Sequence, residues 1–207
     1  MIGLRALWRS TRASTAAEFG LLTPLLLSFM IGTIDLGRFL WTCNRAEKAT
    51  QMGVRYAVVT DIVPSGLATY DFAVTGGIPQ GDPIPASSFT SAHCVEAAGG
   101  TVTCTCVPAS CPGGNAVNKI AFDNIVARMR LFYPELTADH VQINYDYSGL
   151  GYAGDPNGIQ VAPLVTVQLT GMTFTPLLFR FFGNQTVSLP AFSASLTLED
   201  GTGSSAN

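Results

Sequence analysis

The hydrophobic and polar positions of this chain divide it into an apolar N-terminal run, an amphipathic continuation and a C-terminal region of mixed pattern. Residues 19–34 read FGLLTPLLLSFMIGTI and carry no charge, and Glu18 stands directly before them. With a few flanking residues, this run reaches the ~20 residues that a helix needs to cross a bilayer. Backbone polar groups in hydrocarbon must be satisfied within their own segment, so a helix is the expected form. We therefore predict a membrane span here.

Three other kinds of segment share this apolar character. A cleaved secretory signal would need a small, uncharged cleavage site, but residues 46–49 read AEKA. A lipoprotein signal would have small residues before its cysteine, but Trp41 lies just before Cys43. A buried core helix is usually shorter and amphipathic. The sequence therefore favours an anchor that stays in the membrane.

The helical period continues beyond the uncharged run. Apolar residues recur at steps of three to four from Leu36 to Tyr56 and form one stripe, which predicts a helix reaching about residue 59. Asp35 and Arg38 are three residues apart, so they share a helix face and can form an ion pair. The second half of this helix is amphipathic and therefore needs a surface to pack against.

The remaining pattern predicts an α+β domain. Residues 64–114 are rich in Pro, Gly, Ser and Thr and predict loops and short strands. The further predicted elements are a helix over 115–133 and strands over 141–147, 161–175 and 186–198. The apolar segment PLLFRFFG at 176–183 joins the last two strands. We expect the strands to form a small antiparallel sheet on which the long N-terminal helix packs, followed by a disordered tail over 200–207.

Four cysteines in the Gly-rich region are the second informative feature. They are Cys94, Cys104, Cys106 and Cys111. A hairpin turning at residues 99–100 would bring the first near Cys104 or Cys106 and leave the other for Cys111, so the connectivity stays open. A zinc site that includes His93 is the alternative, but the spacing differs from the paired cysteines of structural zinc sites. Two disulfides fit better and require an oxidising compartment. Cys43 is expected to be a small apolar residue on the helix, with an intermolecular bridge as the alternative.

Charge indicates the orientation and excludes one class of partner. Arg5, Arg9 and Arg12 precede the apolar run with no acidic residue among them, whereas the basic residues after it are interleaved with Asp35 and Glu47. The positive-inside rule therefore favours a cytoplasmic N-terminus, in agreement with export of the cysteine region. The net charge is −3 and basic residues are sparse beyond residue 55, so nucleic acid is not an expected partner.

Signals for catalysis or ligand binding are weak. His93 and His140 have no nucleophile or metal-ligand spacing around them, and the glycines of residues 149–154 lack the strand–turn–helix setting of a dinucleotide loop. We expect no enzyme activity, no cofactor and no bound metal. A membrane-anchored periplasmic enzyme or ligand-binding module that uses the loop 149–158 is the alternative.

The N-terminal part of the chain resembles a known family. Residues 12–19 (RASTAAEF) place small residues before a Glu-Phe pair that opens an apolar helix. The pattern continues with IDLGR at 34–38, AEKA at 46–49 and GVRYA at 53–57. It resembles the type IV pilin precursors and is most similar to the TadE-like pseudopilins of the tight-adherence (Tad/Flp) pilus assembly system. The resemblance implies a pilin-like fold and a minor pilin-like subunit for pilus assembly, without catalytic activity.

The resemblance also implies roles for individual residues. A prepilin peptidase would cut between Ala13 and Ser14, although the family usually has glycine in place of Ala13. Glu18, followed by Phe19, would pair with the free N-terminal amine of a neighbouring subunit. Alternatively, Glu18 only begins the helix, where the helix dipole favours an acidic residue.

Pattern and resemblance together predict four regions and a location. The regions are a basic cytoplasmic leader (1–13), the transmembrane and amphipathic helix (14–60), a periplasmic α+β domain (61–199) and the disordered tail (200–207). We expect a single-pass protein of the bacterial inner membrane. Its expected partners are the membrane, other pilin or pseudopilin subunits, the prepilin peptidase and the pilus assembly machinery.

Overall fold

The elements follow the α+β arrangement that the sequence predicts. The computed structural model describes residues 11–97, 99–107, 111–156, 158–180, 183 and 185–203, with side chains from residue 15 onward. Its helices are α1 (Thr11–Ala57), α2 (Ser65–Thr69), α3 (Lys119–Arg130) and α4 (Leu177–Arg180), and a 3-10 turn covers Ala138–His140. Its strands are β1 (Ser91–Ala97), β2 (Thr101–Val107), β3 (Val141–Asp146), β4 (Leu164–Leu169), β5 (Thr173–Phe174), β6 (Val187–Ser188) and β7 (Phe192–Thr197). The predicted fold class, a long N-terminal helix followed by a small antiparallel sheet, is confirmed.

Helix α1 is continuous over 47 residues, and its two halves differ in exposure. As far as Thr42 most of its large apolar side chains are exposed, whereas Ala46, Val54 and Ala57 are buried. This change agrees with the predicted switch from an apolar to an amphipathic helix. The helix ends at Ala57, slightly before the predicted residue 59.

The chain divides into two compact units. The first contains α1 as far as Thr42 together with Thr173–Ser188, and the second contains Cys43–Met172 and the segment that begins at Leu189. The amphipathic half of α1 thus belongs to the unit that contains the large sheet.

That second unit is built around a five-stranded antiparallel sheet with the strand order β2-β1-β3-β4-β7. Alternation along β3 and β4 places Ile143, Tyr145 and Val167 on one face, where all three are fully buried. Helix α1 crosses close to this face at Gly53. A Cβ atom built there would lie 2.7 Å from Met129 Cγ of α3 and 3.4 Å from Val167 Cγ1 of β4.

Arg45 connects α1 to the end of α3. Its Nε atom donates to the carbonyl oxygen of Phe132 at 3.1 Å, and its Nη2 atom lies 3.1 Å from Glu135 Oε2. The guanidinium carbon is 5.3 Å from the centre of the Tyr133 ring. The last carbonyl groups of a helix lack partners within it and attract cations, so this arginine satisfies the C-terminal region of α3.

Three predicted elements are shorter or interrupted, each for a local reason. Helix α3 begins after Asn118, whose side chain accepts a hydrogen bond from the Ala121 N–H at 3.1 Å, so the predicted 115–133 helix is shortened at its start. The predicted strand 161–175 is broken at Gly171, which has a φ of +71°. The predicted strand 186–198 is interrupted near Pro190, which has no N–H to donate to a ladder.

The C-terminal segment is hydrogen-bonded to the end of α1 as far as Gly203, within the range 200–207 that the sequence predicts to be a tail. The N–H groups of Glu199 and Asp200 donate to the Val58 carbonyl oxygen at 3.0 and 3.1 Å. Asp61 and Gly203 exchange two further hydrogen bonds, at 2.8 and 2.7 Å. Backbone pairing with the end of α1 thus orders a sequence whose composition alone is typical of a tail. Residues 204–207 lie outside the described part of the chain.

Candidate functional site

The first half of α1 presents a continuous apolar surface. Leu21 is 79% exposed and Phe29 is 73% exposed, and the same helix is long and apolar enough to cross a membrane, with a mean hydropathy of 1.7 in an 18-residue window. Apolar surface left in water costs ~25 cal/mol per Å². Large exposed apolar patches accordingly mark surfaces that meet a membrane or another protein.

Three hydroxyl groups within this half are satisfied inside the helix. Thr23 and Ser28 each donate to the carbonyl oxygen four residues earlier, at 2.7 and 2.8 Å, and Thr33 donates to the one three residues earlier, at 2.8 Å. Pro24 lies within the helix without ending it. Internal satisfaction of polar groups is what a surrounding without hydrogen-bonding partners requires.

The residues predicted for processing and assembly lie at the start of this surface. Ala13 and Ser14 belong to the helical backbone of α1, but their side chains lie outside the described part of the chain, as do all of residues 1–10. Glu18 and Phe19 are both exposed on the helix. A single chain does not test cleavage between Ala13 and Ser14 or the pairing of Glu18 with another subunit, so both stay predictions.

Asp35 is buried at the end of the exposed apolar half. Only 7% of the surface of this residue is exposed. Oδ1 accepts hydrogen bonds from Arg38 Nη1 at 2.9 Å and from the Leu177 N–H at 2.8 Å, and Oδ2 accepts one from the Leu178 N–H at 2.9 Å. The structure thus contains the ion pair that the spacing of Asp35 and Arg38 predicts. It adds two backbone donors that the sequence analysis missed.

The carboxylate of Asp35 serves as an N-terminal cap for α4. The first N–H groups of a helix have no acceptor within it, and Pro176, directly before Leu177, has no N–H at all. Asp35 accepts from the next two, and the positive end of the helix dipole favours its negative charge. A proline followed by apolar residues at 176–183 was the local signal for this segment. The acceptor of the Leu177 N–H, Asp35, is 142 residues away along the chain.

An aromatic contact joins the same two segments. The rings of Phe39 and Phe174 meet edge to face with centroids 5.6 Å apart, and the guanidinium carbon of Arg38 lies 5.2 Å from the centre of the Phe174 ring. A groove of about 240 Å³ lies here. Its lining residues are Asp35, Leu36, Phe39, Phe174, Pro176 and Val187. The lining is almost wholly apolar. The Asp35 carboxylate already accepts hydrogen bonds from Arg38, Leu177 and Leu178.

In the second unit the four clustered cysteines form two disulfides. Cys94 is bonded to Cys104 and Cys106 to Cys111. The first pair lies directly opposite in the β1–β2 ladder, with Cα atoms 4.1 Å apart. The register of that hairpin selects one of the connectivities that the sequence left open. Cys43 is a free, partly buried thiol on α1.

The histidines considered for catalysis have structural contacts. His93 Nδ1 lies 3.0 Å from Asn144 Oδ1, and its Nε2 lies 3.2 Å from Ser91 Oγ. His140 Nδ1 lies 2.9 Å from the Thr170 carbonyl oxygen. Among the described residues, no group of three His, Cys, Asp or Glu side chains is arranged to hold a metal ion.

The glycine-rich loop considered for ligand binding is closed by backbone bridges. Gly151 pairs with Val161, and Tyr152 pairs with Pro83. The chain then enters β4 and not a helix, so the loop lacks the helix N-terminus that cradles a phosphate in dinucleotide sites. Residue 157 of this loop lies outside the described part of the chain.

Comparison with known proteins points to the segment that carries the apolar surface. Residues 13–55 match the family model described as TadE-like protein. No curated protein and no solved structure matches the chain. The matched segment contains Glu18, Asp35 and Arg38 and extends into the buried half of α1. The predicted resemblance is thereby confirmed: over residues 13–55 the chain is similar to the TadE-like protein family.

Proposed function

We propose that this chain is a minor pilin-like subunit that serves in the assembly of a Tad/Flp-type pilus. The observation that carries the proposal is a coincidence of two features. The segment similar to TadE-like proteins, residues 13–55, is the segment in which one continuous helix passes from an exposed apolar half to a buried half. The apolar half anchors the subunit in the bacterial inner membrane, and it packs beside the helices of other pilin or pseudopilin subunits during assembly.

Glu18 has the central part in this assembly. A carboxylate beside hydrocarbon is costly unless a cation neutralises it. The free amine of a neighbouring subunit supplies that cation once a prepilin peptidase has cut before Ser14. The charge pair then fixes the register of one helix against the next, because it forms only when the carboxylate and the amine lie at the same depth.

In the proposed orientation, the N-terminus lies in the cytoplasm and the sheet-containing unit lies in the periplasm. Two disulfides within residues 94–111 support this, because disulfides persist in oxidising compartments such as the periplasm. The arginines at positions 5, 9 and 12 agree with the positive-inside rule. The subunit acts through binding to its partners, with no catalysis and no cofactor of its own.

The test compares two acidic residues of α1, each variant expressed in piliated cells from which the parent copy of this chain has been deleted. Glu18→Ala should enter the membrane in normal amount but fail to support pilus assembly. Glu47→Ala is the matched control, because Glu47 is also exposed on α1 but lies beyond the apolar half. We expect Glu47→Ala to support normal piliation. Normal pili with Glu18→Ala would refute the pairing role, and normal pili after deletion of the whole chain would refute the function.

Processing has its own measurement. N-terminal sequencing of the protein from membranes should show a mature chain that begins at Ser14. Ala13→Gly should be cut at least as fast, because glycine is the usual family residue there. An intact N-terminus in cells with an active prepilin peptidase would refute cleavage.

A further inference from the structure

We propose that the segment formed by α4 and its flanking strands β5 and β6 rests in the periplasmic leaflet of the membrane and forms a second, interfacial lipid contact beside α1. The ligand is the lipid surface itself, with acyl chains for the apolar side chains and phosphate groups for the arginines. This inference rests on the membrane anchoring of α1 proposed above, and it adds a lipid-binding role to a segment outside the region similar to TadE-like proteins.

The depth of the segment follows from α1. At ~1.5 Å per residue, the helix rises about 26 Å from Glu18 to Asp35, which is close to the ~30 Å thickness of the hydrocarbon core. Asp35 therefore lies near the far boundary of the hydrocarbon when Glu18 lies near the other. Because Asp35 accepts hydrogen bonds from Leu177 and Leu178 at 2.8 and 2.9 Å, α4 is held at the same depth.

Helix α4 has the composition of an interfacial segment. It reads LLFR, and none of its residues is buried by the protein. Arg180 is the one charged residue in the sequence from Thr173 to Ser188, and it is exposed. Segments at a membrane surface bury large apolar side chains among the acyl chains, while a long basic side chain extends to the phosphates.

Backbone groups in and beside α4 are paired within the protein, as surroundings with few hydrogen-bonding partners require. Pro176 has no N–H, and the two N–H groups that follow are bonded to Asp35. The flanking strands β5 and β6 pair with each other. The charge of Asp35 is in turn compensated by Arg38 at 2.9 Å. Internal pairing of this kind is required where lipid replaces water.

The groove beside α4 is continuous with the exposed apolar surface of α1. This continuity favours lipid over a neighbouring protein as the partner of the segment. Leu36, which lines the groove beside Phe174, is exposed on the helix, as are Leu40 and Trp41 one turn further on. Tryptophan is enriched at the membrane–water boundary, and Trp41 is 66% exposed. Apolar side chains followed by a tryptophan further along α1 match the order of hydrocarbon and boundary in a leaflet.

The experiment measures tryptophan depth in the full-length protein, reconstituted into phosphatidylcholine–phosphatidylglycerol vesicles with brominated acyl chains. The background carries Trp8→Phe and Trp41→Phe, so that each probe is the sole tryptophan. The probe is Phe179→Trp, and the matched positions are Leu26→Trp in the apolar half of α1 and Val74→Trp in the second unit. Val74 is 82% exposed.

We expect Phe179→Trp to lose most of its emission to lipids brominated near the glycerol end of the chain, and less to lipids brominated near the methyl end. Leu26→Trp should show the reverse order, and Val74→Trp should be quenched by neither lipid. Asp35→Ala, added to the Phe179→Trp protein, should reduce the quenching of that probe while leaving Leu26→Trp unchanged. A thermal unfolding midpoint equal to that of the parent protein checks that the second unit is folded in every variant.

Each other outcome overturns a defined part of the proposal. Quenching of Leu26→Trp without quenching of Phe179→Trp refutes the interfacial contact and leaves the anchor intact. Absence of quenching at both positions refutes the anchor on which the inference rests. Shielding of Phe179→Trp from aqueous acrylamide without quenching by bromine would show that protein, and not lipid, covers the segment. Unchanged quenching after Asp35→Ala would refute the role of Asp35 in setting the depth.

Discussion

The close approach of α1 to the core at Gly53 gives a prediction whose magnitude can be worked from the structure. A Cβ atom at this position would lie 2.7 Å from Met129 Cγ and 2.9 Å from Met129 Sδ. Favourable contacts between such atoms occur at about 3.5–4.0 Å, and Met129 is itself fully buried. Any side chain at position 53 must therefore displace a packed residue of α3.

Two effects oppose each other in Gly53→Ala. Replacing glycine in a helix interior by alanine stabilises the helix by about 1 kcal/mol, whereas overfilling a packed core costs about 1–3 kcal/mol. We expect the overfilling to prevail, so that Gly53→Ala destabilises the protein by up to about 2 kcal/mol. Gly53→Val adds two methyl groups and a poorer helix former, and should reach or exceed about 3 kcal/mol.

The assay is thermal unfolding of the purified full-length protein in detergent, with the disulfides intact. A loss of 1 kcal/mol lowers the midpoint by about 2–4 °C for a chain of this size. The matched control is Gly37→Ala in the same helix, because an added Cβ there meets nothing within 4 Å. It should leave the midpoint of the second unit unchanged.

A double-mutant cycle decides whether Met129 is the residue that clashes with a side chain at position 53. Met129→Ala alone should destabilise by about 2–5 kcal/mol through the cavity it leaves. In combination with Gly53→Val the loss should be smaller than the sum of the single losses, by about 0.5–3 kcal/mol. Strict additivity, or a Gly53→Val protein as stable as the parent, would refute the packing of α1 on α3 at this point.

Three further perturbations test other parts of the second unit. The buried hydroxyl of Tyr145 accepts the Val63 N–H at 3.1 Å, so Tyr145→Phe should cost about 1–3 kcal/mol by leaving that donor unsatisfied, and an unchanged denaturation midpoint would contradict this. Hydrogen bonds from backbone N–H groups and a glutamine amide lower the pKa of Asp71. Its contribution to stability is therefore complete above the ordinary pKa of ~3.9 and is lost as the pH falls through the lower folded value. Asp71→Asn should flatten the acid limb of stability against pH, and an acid limb unchanged from that of the parent protein would contradict the assignment. Alkylation of unfolded, unreduced protein followed by mass spectrometry should label Cys43 alone, and labelling of the four bridged cysteines would refute both disulfides and the topology argument built on them.

Features with a local cause could be predicted from the sequence. The uncharged run 19–34 and the period of three to four that follows define α1, because helix formation and membrane compatibility depend on neighbouring residues. The alternation of Val141, Ile143 and Tyr145 with polar residues predicts β3, because a strand with one buried face imposes that period. The ion pair of Asp35 with Arg38 is local in the same sense, since both residues lie on one helical turn.

Features that depend on distant partners were decided by the tertiary structure. The sequence by itself determined a long helix with an apolar half, its likeness to TadE-like proteins and the presence of cysteines for two disulfides. Only the register of the β1–β2 hairpin determined which cysteines pair. Only the folded chain brought Leu177 and Leu178 to Asp35, and Gly203 to Asp61. The physical reason is that periodicity records the local environment of each residue, whereas a hydrogen bond across 142 residues depends on how every intervening element packs.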